Sequence, residues 1–439
     1  ALVDPGDRVL MTDPGYPCNR HFVEAFDGIA ELVPVDAATR FQMSADLLRR
    51  HWREGVKGVL LSSPANPTGT SIPFDELARI ADAVRGRGGF SIVDEIYLGL
   101  TYDGAARTAL GNREAGFVNA VLRSAQRRWT EFDATISARP DLHYGYPDWW
   151  LARLRAAYPE QWAAIAEEGV ARAPMSLRVN RRRSTPEAVC RLLSEQGIAC
   201  SIVAPIAGQA LPAVRIDPPR PAESLAGYRE GLYSIQDVGA QLAAMWLAPE
   251  DGERVLDACA APGGKAAHLL ELGAIDLVAL DQDAGRLSQL DRNVARLGLV
   301  GGDGERSTVT AHVADCRDIE RWWDGRPFDR ILADVPCSGS GAIRRHIDML
   351  WLKRDGDIAN LVSVQAEILG SLWRTLAPGG RLLYVTCSLF PEENGEQLAA
   401  FLARHTDARV EPIAGEVGLQ LLPGPSHDGF FYARLRKLG

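Results

Sequence analysis

The sequence predicts an α/β protein with more than one domain. Residues 1–110 and residues 236–439 each alternate short apolar strands with amphipathic helical segments, which is typical of parallel sheets covered by helices. The residues between them begin with helical patterns and end in short strands, which predicts a smaller α+β module. A chain of 439 residues is long enough for several domains.

Composition excludes several classes of protein. The chain is 46% hydrophobic and 24% charged and has no long apolar stretch, so neither a membrane span nor a secretory leader is expected, and we expect the protein in the cytoplasm. Its seven cysteines are widely spread and include no C-x-x-C pair, which argues against a disulfide framework and a zinc site. The eight histidines lack ligand spacing, and no metal is expected.

Charge is distributed unevenly. The net charge of −9 is not that of a nucleic-acid-binding protein. Residues 117–235, however, carry 15 basic and 12 acidic side chains, whereas residues 236–439 carry 21 and 29. Basic clusters lie at Arg127-Arg128 and within residues 178–183. A solvated charged face is the more common explanation of such clusters, and an RNA-binding surface is the alternative.

Residues 1–110 show a βαβ rhythm. Strands are expected within residues 7–13, 30–36, 57–63 and 89–97, with helices starting near Arg20, Ser44 and Phe74. The segments DPGYP, SSPANPTGT and VDEIYLGLTYDG in this region together resemble the large domain of fold-type I pyridoxal-phosphate aminotransferases. The resemblance implies that Asn66 and Tyr97 face the phenolic oxygen of that cofactor, and that Asp94 pairs with its pyridinium nitrogen.

The lysine that this chemistry needs is missing from the segment. Aminotransferases hold their cofactor through a lysine on a loop after the D-E-x-Y strand. The four lysines of the chain are Lys57, Lys265, Lys353 and Lys437, and none follows that strand closely. The resemblance also covers only an internal slice of the family. Residues 1–110 are therefore expected to be an inactive fragment, and pyridoxal phosphate is not an expected cofactor.

Residues 111–235 begin with an amphipathic helix over residues 116–129 and continue with two helical patterns in residues 146–169. SLRVNRR, a helix over residues 185–197 and the strand-like ACSIVA and AVRID segments follow. We place domain boundaries at 110/111, 140/141 and 235/236, with residues 141–235 as the candidate RNA-recognition module.

Residues 236–439 again alternate strands and helices. The expected strands are ERVLDACA, AIDLVALD, STVTAHVAD, FDRILADV, GRLLYVTC and DGFFYARLRK, and the expected helices start at Lys265, Ala284, residue 357 and Glu392. This pattern predicts a doubly wound, Rossmann-like sheet. Ligands of such sheets bind at the carboxyl ends of the strands.

A glycine turn lies at the first of these strand ends, in DACAAPGGK from Asp257 to Lys265. Gly263 and Gly264 allow backbone to approach a ligand closely, and the start of the next helix favours an electron-rich group. At two later strand ends, Asp281 is placed to accept hydrogen bonds from ribose hydroxyls and Asp315 to hold an adenine amine. This spacing predicts a nucleoside cofactor, either a dinucleotide or S-adenosylmethionine.

Two further strand ends carry thiols. ILADVPCSGSG places Asp334 and Cys337 at one end, and LLYVTCS places Cys387 at another. A free cysteine is most often a small core residue. Here the sheet topology predicts instead that both thiols and the carboxylate of Asp334 converge on one rim.

Five segments in this order make a specific pattern: DACAAPGGK, ADVPCSGSG, IRRHIDMLW, LAPGGRLLYVTCSLFPEEN and HDGFFYARL. Together they resemble the bacterial 16S ribosomal RNA cytosine-C5 methyltransferases of the Sun/Fmu family, from about Gly116 to the end of the chain. The family normally begins with a NusB-like RNA-binding domain, of which only the last helix, around residues 116–129, is recognisable. The resemblance implies an S-adenosylmethionine-dependent enzyme that acts on 16S ribosomal RNA, and we expect a monomer.

The resemblance also implies roles. Cys387 would add to C6 of the cytosine, Asp334 would hold the N3 edge of the base, and Cys337 would remove the C5 proton. On general chemical grounds, a positive neighbour such as Lys265, or a helix amino terminus, would lower the pKa of the nucleophilic thiol. The implied cofactor-binding residues are Cys259, Ala260, Ala261, Pro262, Gly263, Gly264, Lys265, Asp281, Asp315 and Asp334. The candidate phosphate-binding residues are Arg178, Arg181, Arg182, Arg183, Arg344 and Arg345.

Alternatives remain open from the sequence. DNA cytosine methyltransferases use the cysteine of a Pro-Cys pair as nucleophile, which here would be Cys337. A non-catalytic RNA-binding or ribosome-assembly protein could retain the same fold, and a pyridoxal-phosphate enzyme is a third reading. Of the other thiols, Cys259, Cys190, Cys200 and Cys316 are expected to pack.

Overall fold

The computed structural model describes residues 3–25, 27–65, 68–94, 139–300 and 307–439. The chain divides into two compact units, residues 1–135 and residues 136–439. Some sequence predictions concern residues outside the described ranges: Asn66, Tyr97, the Arg127-Arg128 cluster and the helix over residues 116–129.

The first unit contains a parallel sheet, as the sequence predicts. Its strands, in the spatial order β2-β1-β3-β4, are β1 (Arg8–Asp13), β2 (Ile29–Pro34), β3 (Val56–Ser62) and β4 (Phe90–Asp94). The helices are α1 (Pro17–Glu24), α2 (Ala45–His51) and α3 (Phe74–Arg85). Ser44 caps α2, because its hydroxyl accepts a hydrogen bond from the N–H of Leu47.

The second unit opens with three helices, α4 (Pro140–Tyr144), α5 (Asp148–Ala157) and α6 (Trp162–Val170). Trp150 of α5 is fully buried and lies 5.5 Å, between ring centroids, from Phe390. The hydroxyl of Tyr158 donates to the carbonyl of Leu389 at 2.8 Å. These helices therefore cover the segment that follows Cys387.

A small antiparallel sheet comes next. It has the order β6-β7-β5-β8 and contains β5 (Met175–Val179), β6 (Cys200–Ile202), β7 (Ala213–Ile216) and β8 (Tyr233–Ile235), with α7 (Pro186–Glu195) after β5. Apolar side chains of the sheet pack against Val189 and Leu193 of α7. The expected α+β module is present in this form.

The largest sheet has eight strands. They are β9 (Arg254–Asp257), β10 (Asp276–Asp281), β11 (Thr308–Val313), β12 (Phe328–Asp334), β13 (Leu376–Thr386), β14 (Ala408–Glu411), β15 (Leu419–Leu421) and β16 (Phe430–Lys437). The spatial order is β11-β10-β9-β12-β13-β16-β14, and β15 also pairs with β16. The strands from β11 to β13 run parallel, and β16 is antiparallel to β13. The chain leaves β9 toward one edge and returns as β12 on the other side, which is a topological switch point.

Helices cover both faces of this sheet. They are α8 (Val238–Leu247), α9 (Gly264–Leu272), α10 (Ala284–Leu297), α11 (Ile319–Trp322), α12 (Met349–Leu352), α13 (Asp357–Thr375) and α14 (Gly395–Arg404). The side chains of successive strand residues pack into two different hydrophobic cores, one on each face of the sheet. Val255 belongs to one core and Leu256 to the other. Sequence reasoning missed α8, because nearly all of its side chains are buried and it shows no amphipathic period.

In the part of the chain that the structure describes, every helix is too short or too polar to cross a bilayer.

Candidate active site

The glycine turn after β9 starts α9. Gly263 has φ of 100°, and a Cβ added there would lie 2.8 Å from the Cα of Leu290. Its N–H donates to the carbonyl of Ala260 at 2.7 Å, and its own carbonyl accepts from Ala267 in the first turn of the helix. Only glycine fits this position, because both the backbone angle and the neighbouring helix exclude a side chain.

A cavity of about 530 Å³ opens beside this turn, between the ends of β9, β10 and β12. Asp281 lies on its wall, where one carboxylate oxygen accepts the N–H of Ala261 at 3.1 Å and the other accepts the N–H of Asp283 at 3.0 Å. Apolar side chains of Val364 and Ile368 form another part of the wall. Carboxylates that can accept from hydroxyls, beside an apolar wall for a flat ring, fit a nucleoside.

Arg286 of α10 also lines the cavity, and sequence reasoning missed it. Its guanidinium donates to the carbonyl of Ala261 at 3.0 Å, which ties α10 to the glycine turn. The only relevant feature in the sequence is that Arg286 lies three residues after Asp283. The side chain of Asp283 caps α10 by accepting the N–H of Arg286. This spacing predicts that a helix starts at Asp283, but it does not predict that Arg286 lines a cavity.

Asp315, which was expected to bind the adenine amine, is not among the residues that line the cavity. The cavity is lined by its neighbours Ala314 and Cys316, while its own carboxylate binds the guanidinium of Arg317 at 2.7 Å. The hydrogen bond from Arg317 holds the pKa of Asp315 below its usual range. Asp315 would have to exchange Arg317 for an adenine amine, so its predicted role stays untested.

Lys265 and Asp334 form an ion pair across the switch point, with 2.7 Å between Nζ and Oδ2. Burial alone would lower the pKa of Lys265, but the charge and hydrogen bond of Asp334 outweigh it, and Cys387 and Asp257 add to the rise. The pKa of Lys265 is therefore raised, and its ammonium stays charged. The ammonium also lies 5.7 Å from the ring centroid of Phe430.

Asp257, the last residue of β9, is a buried carboxylic acid beside this pair. It is 1% exposed, and no described side chain donates a hydrogen bond to either of its carboxylate oxygens. Burial, and then the charge of Asp334, raise the pKa of Asp257 to about 7. The switch point thus holds two carboxyl groups in different surroundings: that of Asp334 is paired with an ammonium, whereas that of Asp257 is buried without a counter-charge in contact.

The two thiols meet at the ends of β12 and β13, with 3.4 Å between Sγ of Cys337 and Sγ of Cys387. Both side chains are partly buried rather than sealed in the core. The hydrogen bond with Cys387, followed by burial and nearby negative charge, raises the pKa of Cys337 well above its usual value. The N–H of Gly341 donates to the carbonyl of Cys387 at 2.8 Å, which joins the two loops.

Two of the predicted phosphate-binding arginines are buried, which corrects the expectation for them. Arg178 is 0% exposed, and its guanidinium binds the carboxylate of Glu271 at 2.7 Å and the carbonyl of Gly264 at 2.6 Å. The side chain of Arg344 is 1% exposed and pairs with Asp428 and Glu168. Neither guanidinium can reach a phosphate without breaking a buried ion pair.

The other four arginines lie nearer the surface. Arg345 is partly exposed and pairs with Asp428 and Asp237. Arg181, Arg182 and Arg183 are exposed, although Arg182 donates to the carbonyl of Gly273 and Arg183 to that of Glu230. Arg181–Arg183 is therefore the part of the predicted basic cluster that can meet an anion.

The remaining cysteines of the second unit pack, as expected. Cys259 and Cys316 face each other at the cavity, and their hydrogen bond, with burial, raises the pKa of Cys259 well above its usual value. Cys190 and Cys200 lie side by side, with 2.6 Å between the sulfurs. Among the described residues, no group of three or more acidic, histidine or cysteine side chains is arranged to hold a metal ion.

Comparison with protein families divides the chain in the same way as the fold. Residues 244–436 match the family described as 16S rRNA methyltransferase RsmB/F, and residues 146–219 match the ferredoxin-like domain of RsmF/B-like methyltransferases. Residues 1–125 match aminotransferase class I and II.

Individual relatives cover most of the chain. It is 44% identical over 343 residues to ribosomal RNA small subunit methyltransferase B of Vibrio cholerae, covering 77% of this chain and 76% of that protein. It is 45% identical over 332 residues to the protein of the same name from Klebsiella pneumoniae, covering 73% of each.

Among solved structures, a methyltransferase homologue from Pyrococcus horikoshii matches with a TM-score of 0.57 and 28% identity, over 68% of this chain and 97% of the other. NSun6 from the same organism, solved with SFG, matches in fold with a TM-score of 0.55 and 19% identity, over 67% of this chain and 98% of the other.

Proposed function

The chain belongs to the 16S rRNA methyltransferase RsmB/F family, and on this premise we propose that Cys387 is the nucleophile with which it modifies cytosine. It is an S-adenosylmethionine-dependent ribosomal RNA (cytosine-C5) methyltransferase. The observation that supports the assignment of roles is the meeting of a thiol pair and a lysine–aspartate pair beside the cavity at the switch point.

The target carbon determines what the residues must do. C5 of cytosine is a weak nucleophile until a group adds to C6. S-adenosylmethionine, when bound, supplies the methyl group as an electrophile. We assign the nucleoside of S-adenosylmethionine to the cavity wall around Asp281. The backbone of the Gly263 turn is the part of the chain that the cofactor would approach most closely.

Cys387 is the better-placed nucleophile of the two thiols. The raised pKa of Cys337 keeps that thiol protonated, so its S–H can donate a hydrogen bond to the Cys387 sulfur and would stabilise a thiolate there. The positive charge of Lys265 interacts electrostatically with the Cys387 sulfur and further stabilises the thiolate. The Cys387 thiolate can then add to C6 of a base that enters the rim.

Asp334 and Cys337 complete the cycle. Asp334 accepts a hydrogen bond from the amino group of the base and shares with N3 a proton taken up from solvent, which neutralises the charge of the adduct; Lys265 fixes the orientation of Asp334. Once Cys387 is bonded to carbon it no longer carries a charge beside Cys337. Cys337 can then release its proton to solvent and accept the proton from C5, after which the Cys387 thiolate leaves.

RNA binding is assigned to the remaining parts of the second unit. We propose that residues 141–235 form the recognition module and that Arg181, Arg182 and Arg183 contact phosphates. The cytosine must be single-stranded or turned out of its helix to reach the thiols, which costs a few kcal/mol. The aminotransferase-like residues 1–110 have no assigned role, because no lysine follows Asp94 closely in the sequence.

Bisulfite sequencing tests the function. 16S ribosomal RNA from a strain that lacks this modification is incubated with the full chain and S-adenosylmethionine, and one protected cytosine is expected. The Cys387→Ser variant serves as the matched control and should protect none. If the wild-type chain binds the RNA but leaves every cytosine convertible, the non-catalytic RNA-binding alternative is correct instead.

A further inference from the structure

Glu393 is a fully buried carboxylate just after the second thiol in the sequence. It ends a 3₁₀ turn, Pro391–Glu393, and is 0% exposed. Its Oε1 accepts the N–H of Ser338 at 2.8 Å and the side-chain amide of Gln365 at 3.0 Å. Its Oε2 accepts the hydroxyl of Ser388. All three groups donate to it, which suits a carboxylate.

These donors belong to the two thiol loops. Ser338 follows Cys337 and Ser388 follows Cys387, so one side chain binds the residue after each reactive sulfur. Gln365 also donates to the carbonyl of Pro336, the residue before Cys337, at 3.0 Å. Cys337 is thus held through both of its chain neighbours.

Further hydrogen bonds hold the same arrangement. The hydroxyls of Ser338 and Ser388 lie 3.1 Å apart, and the hydroxyl of Ser340 accepts the N–H of Leu389 at 2.7 Å. Tyr384 of β13 donates to the backbone carbonyl of Glu393 at 2.6 Å, which anchors the turn to the sheet. Glu393 therefore lies at the centre of a network that spans both loops.

The network contains an acid where a neutral residue would suffice for packing. Among the described residues, no basic side chain forms an ion pair with Glu393. A buried carboxylate without a counter-charge costs free energy even when it accepts hydrogen bonds, and a neutral group of similar shape is usually as good for stability. This cost indicates a role other than stabilising the fold.

We propose that Glu393 is a positioning residue for methyl transfer, which holds the Cys337 and Cys387 sulfurs at the mutual distance that their two roles require. The inference rests on the proposed function of the two thiols. Glu393 does not touch the substrate; it acts through Ser338, Ser388 and Gln365.

Thiol cross-linking measures this positioning without RNA or methyl donor. Diamide oxidises two adjacent thiols to a disulfide, and the Cys337–Cys387 peptide pair is quantified by mass spectrometry against time. We expect Glu393→Ala to slow this cross-link at least 10-fold and to lower kcat in parallel, with KM for S-adenosylmethionine changed less than 3-fold. Glu393→Gln should restore most of both rates, since its carbonyl still accepts from Ser338 and its amide can donate to Ser388.

Controls separate positioning from unfolding. Glu396→Ala removes an exposed carboxylate three residues away and should cross-link at the wild-type rate. Ser388→Ala removes one hydrogen bond of the network and should slow the cross-link partially, which keeps the test decisive if Glu393→Ala does not fold. A folded Glu393→Ala variant that cross-links as fast as wild type overturns the proposal. A chain whose cross-link depends on Glu393 but which methylates no RNA refutes the proposed function alone.

Discussion

The two α/β units offer the same kind of place for a ligand but different chemistry. Each has a parallel sheet with an aspartate at a strand end, Asp94 on β4 and Asp334 on β12. Each also has a cavity at its strand ends, of about 340 Å³ in the first unit and about 530 Å³ in the second. By sheet topology alone, both would be candidate sites.

The difference lies in what surrounds the aspartate. Asp334 binds the ammonium of Lys265, and a thiol pair lies on the same rim. Asp94 accepts a 3.4 Å contact from the hydroxyl of Ser62, and Lys57 on the neighbouring strand is exposed. A parallel sheet thus provides a location, whereas reactivity requires a nucleophile, a charge that activates it and a proton carrier at that location.

The largest expected effect is on the thiols. Cys387→Ser should lower methyl transfer about 10³-fold or more and form no protein–RNA adduct, because a serine hydroxyl is not ionised at neutral pH. Cys337→Ser should form an adduct that persists on denaturing gels, since the C5 proton is not removed. Cys18→Ser, in the first unit, should match wild type. If the adduct persists in Cys387→Ser instead, the roles of the two thiols are reversed.

Matched strand-end substitutions compare the two units directly. Asp334→Asn should reduce kcat/KM about 10²-fold, because the amide cannot take part in proton transfer at N3 and leaves Lys265 without its counter-charge. Asp94→Asn should leave methyl transfer unchanged. Steady-state rates with tritiated methyl donor measure both, and equal losses in the two variants would contradict the contrast between the units.

Because of Asp257, we expect the stability of the second unit to depend on pH. Its pKa is raised to about 7 in the folded protein, so the folded state holds the proton more tightly. The associated stability is present below pH 4 and is lost as pH rises to 7, by about 4 kcal/mol in total. Asp257→Asn should therefore be stabilised relative to wild type at pH 8 more than at pH 5. Thermal unfolding without cofactor checks this, and a difference that does not vary with pH would refute it.

The smallest expected effect concerns the exposed arginines. Arg181→Ala and Arg182→Ala should each weaken RNA binding a few-fold and reduce its salt dependence, as the loss of a phosphate contact does. Arg50→Ala, on an exposed face of the first unit, is the control and should not change binding. Filter binding at several salt concentrations measures these effects. Unchanged salt dependence in both Arg181 and Arg182 variants would remove this cluster from the RNA-binding surface.

Much of the site could be predicted because its residues occupy strand ends. Asp257, Asp281, Asp334 and Cys387 each lie at or just after the end of an apolar run, and parallel strands bring such ends to one edge. The glycine turn was predictable for a similar reason, since a positive φ at Gly263 is a local requirement. The type of reaction was predicted from the order of the five sequence segments, because residues at strand ends do not by themselves indicate a reaction.

What the sequence determined by itself is therefore the order of elements, the βαβ rhythm and the residues that meet at the switch point, because these follow from local periodicity and strand direction. Only the tertiary structure decided which charges are free. Arg178 and Arg344 were expected to be surface cations but are buried in ion pairs with Glu271 and Asp428. Glu393 lies next to the expected helix start at Glu392, yet it is buried and hydrogen-bonded to the residues that follow the two thiols. Burial depends on partners far away in the chain, and no local pattern carries that information.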